Sequence, residues 1–368
     1  MKKAAVATAG FFVTAVLLTG CQQEKVRELI EPLVADVQSE EVSETAEETE
    51  EEEISSEIDT SIPIQTGARV AVVSKDTDGE FWNLIQKGME DAVNAVNTAY
   101  GFEKEQQITM TFEGPGDELD VETQINILDA VIAENPDVVC LSASDMDSCQ
   151  AQLEAARENG IPVVMFDSNV SETDLIRAYR GSDNKQIGRL AAYRLSTAIG
   201  KMGKVAVFSA QEKTQSAKDR VEGFLDIMVD YTDIKVVDIV YQDQVEDMET
   251  AMQEVLEKNP VLDGVFCTNA DVAELYLDME KGESSEGNIA MVGVDATTRQ
   301  QEAIRNGEEI GVVSQDPYAM GYETMWTALK ATAPRKIAQI KKGVLMEPAW
   351  IDQDNIDNPE ISNYLYTQ

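Results

Sequence analysis

From Arg69 onward the chain alternates short, continuously apolar runs with stretches whose apolar residues recur at helical spacing, and nothing else in the sequence restricts the fold as strongly. The run at 70–73 precedes a helix predicted through Phe81, Leu84, Ile85, Met89, Ala92 and Val96. Apolar runs at 108–112, 138–141 and 163–166 follow, with helices predicted through 125–132 and 153–156 between them. After a helix over 187–199 the pattern restarts with runs at 205–208, 236–240, 264–267, 290–294 and 311–313, each trailed by an amphipathic segment, the last at 318–329. Strands that are apolar on both faces belong to parallel sheets covered by helices on both sides. The pattern is too long for one open sheet and pauses around 181–184. The expectation is an α/β fold of two doubly wound parallel-sheet lobes.

Charge and residue usage narrow the function. The chain of 368 residues has 29 basic and 69 acidic residues, a formal charge of −40. Such a field repels phosphate backbones and acidic headgroups, so no nucleic-acid partner is expected. Histidine is absent, which removes Ser-His-Asp and Cys-His catalysis and every His-ligated metal site. The reading is therefore not an enzyme, with no cofactor and no metal. Cys140 and Cys267 sit in apolar runs, and Cys149 lies near a helix start where it could be partly exposed. So sparse a set argues against a disulfide framework.

The amino terminus addresses the chain outward. Lys2 and Lys3, an apolar run over 4–18 and the tetrad Leu18-Thr19-Gly20-Cys21 make an export signal, too short for the roughly 20 residues of a spanning helix. The tetrad resembles a bacterial lipobox, which implies that residues 1–20 are removed and Cys21 carries a lipid on the outer face of the membrane. The other reading is an ordinary secretory signal beside a chance cysteine. Residues 22–66 hold 15 acidic and 2 basic residues with Glu50–Glu53 at the centre. They are expected to form a disordered leash, with a short solvated helix over 26–37 as the alternative.

In doubly wound sheets, ligands bind beyond the carboxyl ends of the strands. The groups there are Asp78, Phe81, Trp82, Asp167, Ser168, Arg220, Asp243, Asn269, Asp295 and Gln315. Carboxylates, amides and a guanidinium suit the hydroxyls of a sugar, and an aromatic face suits its C–H side. Plainer roles stay open: Phe81 and Trp82 as core, Asp167, Asn269 and Asp295 as caps, Arg220 as an ion-pair partner, Asp243 as surface. Segment 200–204 lacks the spacing of a phosphate loop, and 352–363 lacks the glycine and the last ligand of a calcium loop, leaving an acidic surface tail.

The segments 78–82, 159–167, 181–184, 216–224, 264–269, 292–295 and 313–317 resemble, in order, those of the ribose- and galactose-type periplasmic sugar-binding proteins, the substrate-binding components of ABC importers. The resemblance implies that Phe81 and Trp82 pack a sugar and that Asp167, Arg220, Asn269, Asp295 and Gln315 bond its hydroxyls. Two positions depart from the ribose binders, Gly79 for an asparagine and Ser168 for an arginine, and Asp243 stands where an aromatic is frequent. The implied lobes are 67–181 plus 316–343 and 182–315 plus 344–368, with hinge crossings near Ser182, Gln315 and 344–349. The partners implied are a monosaccharide or similar neutral polyol and the membrane subunits of an ABC permease, with the protein a monomer. The alternative is a tethered sensor presenting ligand to a chemoreceptor or kinase. A sugar-regulated transcription factor lacks a basic DNA-binding module here, and a glycosidase on Asp167 and Asp295 would require a raised pKa in one of them.

Overall fold

The computed structural model describes residues 58–280, 289–334 and 338–366. Strands and helices alternate as β1 (Arg69–Val73), α1 (Glu80–Ala99), β2 (Thr109–Glu113), α2 (Val121–Ala133), β3 (Val138–Leu141), α3 (Gln150–Glu158), β4 (Val163–Phe166) and β5 (Ala178–Ser182). There the chain leaves for a second round: α4 (Asn184–Ala198), β6 (Gly203–Ser209), α5 (Gln215–Met228), β7 (Ile234–Tyr241), α6 (Met248–Lys258), β8 (Gly264–Cys267), α7 (Ala270–Glu280), β9 (Ala290–Val294), α8 (Thr298–Asn306) and β10 (Gly311–Ser314). Helix α9 (Pro317–Ala331) and strand β11 (Gly343–Met346) return to the first lobe, and β12 (Ala349–Ile351) belongs to the second.

The two sheets have the same plan, β2-β1-β3-β4-β5-β11 and β7-β6-β8-β9-β10-β12. Every pairing in the first is parallel; in the second only β12 runs antiparallel, against β10. The central strands β3, β4, β8 and β10 are buried along their whole length, as their continuous apolar runs predict. Helices start where a side chain can accept from the first free amides: Asp120, Asp183, Asp247 and Asp316 cap α2, α4, α6 and α9, and Thr297 with Gln300 forms a capping box on α8.

Helices α1 and α9 press together over the first sheet through two glycines. A methyl on Gly88 would sit 2.2 Å from the Tyr318 carbonyl oxygen, and one on Gly321 would sit 2.1 Å from that of Ile85. Helices α4 and α5 repeat the arrangement over the second sheet through Gly188 and Gly223.

Several expectations need correction. The ordered body begins before Thr66: Ile64 is buried, Ile58 and Ile62 pack beside it, and the Tyr100 hydroxyl donates to the Ile62 carbonyl at 2.5 Å. Three isoleucines at close spacing give this part of the acidic stretch enough apolar surface to dock. Strand β11 pairs with β5, so the chain leaves the first sheet after Met346 and not at 343. Cys149 is buried among Leu128, Leu153 and Val170 because its position before α3 faces the core. Residues 352–366 are no surface tail: Ile356 is buried with Ile351 and Ile304, and Tyr366 is fully buried. The leader, Cys21 and the segment 22–57 lie outside the described residues.

Candidate functional site

The carboxyl ends of both sheets face a common cavity of about 230 Å³. From the first lobe it is lined by Lys75, Asp76, Asp78 and the α1 start Gly79–Trp82 after β1, by Glu118 after β2 and by Asp167 after β4. From the second come Thr214, Ser216 and Arg220 after β6, Asn269, Asp271 and Glu274 after β8, Asp295 and Thr297 after β9, and Gln315 after β10. Hydrogen bonds join the lobes around it. Glu80 accepts from the Thr298 amide and hydroxyl, both at 2.7 Å; Thr214 Oγ1 donates to the Ser144 carbonyl at 2.7 Å; Gln211 Nε2 donates to the Glu118 carbonyl at 2.6 Å. A hollow of about 200 Å³ near Arg157 and Asp174 lies at the opposite end of β4 and collects none of these groups.

Two aspartates are held in the same unusual way. Asp167 and Asp295 end their strands with φ of 52° and 79°, a left-handed backbone that aspartate tolerates better than most side chains. Such strain persists where the surroundings fix it, and it gathers at functional sites. Asp167 Oδ2 lies 3.0 Å from Lys75 Nζ and accepts from Ser142 Oγ and Ser168 Oγ, each at 3.0 Å. Asp295 Oδ1 accepts from Gln315 Nε2 at 2.8 Å and Tyr366 Oη at 3.0 Å, and its Oδ2 from the Ala270 amide at 3.0 Å. Arg220 is anchored by Nε to Asn184 Oδ1 at 2.8 Å and by Nη1 to the Thr268 carbonyl at 2.7 Å, which leaves the Nη2 edge of the fork for a ligand.

The charges at the first lobe's end of the cavity support one another. Burial disfavours both the Asp167 carboxylate and the Lys75 ammonium. Burial is the largest single influence on each, and it is outweighed only by the sum of their mutual attraction with Arg220 and Ser142 acting on the first and Glu118, 3.4 Å from Nζ, on the second. Asp167 is thereby held below the usual carboxylate range and Lys75 above the usual lysine range. Glu118 goes the other way: burial raises its pKa, Lys75 opposes this, and Asp167 and Asp76 reinforce it. Its Oε1 accepts from Trp82 Nε1 at 3.2 Å, fixing the indole whose ring lies 5.5 Å from the Lys75 ammonium. Phe81 meets Trp82 edge-on with ring centres 5.1 Å apart.

Eight of the ten residues singled out by sequence line the cavity: Asp78, Phe81, Trp82, Asp167, Arg220, Asn269, Asp295 and Gln315. Two do not. Ser168 is fully buried behind Asp167, its hydroxyl 2.8 Å from that of Ser216, so it braces the carboxylate. Asp243 follows the edge strand β7 and lies outside the cavity lining, accepting from the Glu212 amide at 2.9 Å. Asn269 also caps its own helix, accepting from the Val272 amide at 3.3 Å, so the plainer reading holds alongside. Sequence reasoning passed over Lys75, Glu118 and Asp271. Lys75 carried a signal, a lysine two residues beyond an apolar strand; Glu118 sits mid-loop with none. Gln124, which ties the carbonyls of Ser74 and Ser142 together through Nε2 at 2.7 and 2.9 Å, is a helix residue that only the fold brings to the strand ends.

A family model described as a periplasmic binding protein domain matches residues 70–336. The chain belongs to that family. As a periplasmic binding protein it is 23% identical over 286 residues to a D-ribose/D-allose-binding protein of Pseudomonas aeruginosa, covering 76% of this chain and 87% of the relative. It is 21% identical over 284 residues to a D-allose-binding periplasmic protein of Escherichia coli, covering 75% and 88%. Among solved structures, an ABC transporter solute-binding protein of Agrobacterium vitis with bound D-fucose superposes with a TM-score of 0.74 at 28% identity, covering 81% of this chain and all of that one. A second protein of the same organism, bound with α-D-tagatopyranose, gives 0.75 at 25% identity, covering 82% and 100%. The two-lobed parallel-sheet architecture is that of this family.

Proposed function

We propose that this protein is the lipid-anchored, extracytoplasmic solute-binding subunit of an ABC importer, and that it captures a monosaccharide by closing its lobes. The observation that carries the reading is the convergence of Asp167, Arg220, Asp295 and Gln315, from strand ends of both sheets, on one cavity beside Trp82. Sugars seen in or named for several relatives support the ligand class. The carboxylates accept from sugar hydroxyls, Arg220 donates back, and the Trp82 ring offers an apolar wall. A ligand touching both lobes favours the closed form by the contacts it gains with the second lobe. Cys21 holds the mature chain at the membrane, and the acidic leash keeps it near a permease that reads the closed form.

Titration calorimetry with a panel of pentoses, hexoses and polyols tests this. At least one sugar binds the native chain, and Arg220→Ala abolishes that binding while circular dichroism stays unchanged. Binding unaltered in the folded variant contradicts the site; no binding anywhere in the panel contradicts the ligand class.

A further inference from the structure

This inference rests on the sugar-binding reading and narrows the ligand within it. The cavity is lined by eight carboxylates and only two cationic side chains. Those cations serve one end: Lys75 is paired with Asp167 and Glu118, and Arg220 is anchored nearby on Asn184 and Thr268. At the other end Asp271 and Glu274 on the first turns of α7 face Asp76 and Glu80 of the opposite lobe with no lysine or arginine among the lining residues beside them. A second observation points to a donor-rich ligand. Gln315, 2% exposed and lining the cavity, donates through Nε2 to Asp295 but has no partner for its buried Oε1. An acceptor without a donor is costly to bury.

We propose that the sugar bound here carries a protonated amine, an amino sugar or amino-polyol, with the ammonium seated between Asp271, Glu274 and Asp76. Glu80 is bonded by Thr298, and Glu274 is bonded by Thr297 and attracted by Arg299, whereas Asp271 has four acidic neighbours and no cation opposing them; an ammonium donates to this carboxylate and offsets the repulsion, which a neutral sugar does not. Partial burial in the cleft and then the neighbouring Glu118, Asp295, Glu274 and Asp76 hold the Asp271 pKa up at about 7.

Calorimetry on the full chain with matched sets tests the inference: D-galactose, D-galactosamine and N-acetyl-D-galactosamine, and the corresponding glucose and mannose sets. In at least one set the free amine binds about tenfold or more tightly than both neutral forms. Asp271→Asn reduces that preference while leaving the thermal transition cooperative, and Glu274→Gln reads the same effect should Asp271→Asn fold poorly. Equal or tighter binding of the neutral parents in every set overturns the inference and leaves the sugar reading standing. Calorimetric silence across amines and neutral sugars alike overturns both.

Discussion

Asp271 places a titration inside the working pH range. Its pKa of about 7 lies above the ordinary carboxylate value, so the folded chain holds this proton more tightly than the unfolded chain does. Stability therefore falls as pH rises from the unfolded value toward 7 and levels off beyond it. The groups facing Asp271 are Glu118, Asp295, Glu274 and Asp76, with Lys75 and Arg220 the cations in the same cavity. In urea denaturation at about pH 5 and about pH 8, Asp271→Asn should lose less stability across the interval than the native chain; equal losses would remove Asp271 as the source. Asp167 has the opposite sign, since its depressed pKa supplies stability above the unfolded carboxylate value that is lost as pH falls through the folded one. Asp167→Ala should cost about 3 kcal/mol by the same assay, the low end for a broken buried pair, because Glu118 still faces the Lys75 ammonium. A cost within 0.5 kcal/mol of zero would mean that the pair is not held as described.

At the scale of elements, the helix pairs α1 with α9 and α4 with α5 set how closely each sheet is covered. Gly88→Ala drives a methyl against the Tyr318 carbonyl oxygen, so α1 must move off α9. An overpacking cost of about 1–3 kcal/mol is expected, read as a lower thermal midpoint, whereas alanine at Gly116, which meets nothing within 4 Å, should be near neutral. Equal behaviour of the two variants would contradict the close approach. Fully buried strands were legible because burial on both faces forces a continuous apolar run, as in β3, β4 and β8. Strand β5 was missed because it carries Arg180, whose guanidinium is buried against the Tyr179 and Lys341 carbonyls. Strand β12 has three residues, too few for any period to show. The docked segment 58–66 was hidden inside a charged stretch whose average outweighed its isoleucines.

For the whole molecule, the strand-end rule located most of the cavity from sequence, since it depends on topology alone. It did not reach Tyr366, which comes back from the carboxyl end of the chain to donate to Asp295. It also did not reach Glu80, whose carboxylate accepts from the first residue of α8 in the other lobe. A carboxylate at a helix amino end is favourably placed, and under the proposed capture by closure this inter-lobe contact is the expected latch. Glu80→Ala should weaken sugar binding about threefold to tenfold by favouring the open form; an unchanged dissociation constant would remove the latch from the account.

The proposed closure can be tested through the thiol chemistry of the chain. Cys140, Cys149 and Cys267 are buried, and burial pushes each thiol above its ordinary pKa, so introduced surface cysteines can be labelled selectively once Cys21 is changed to serine. Spin labels at Asp117→Cys and Glu212→Cys, one on each lobe beside the mouth, report the gap by pulsed electron resonance. Saturation with the tightest-binding sugar should replace a broad, longer distance distribution with a narrow, shorter one. The same distribution with and without sugar would contradict capture by closure.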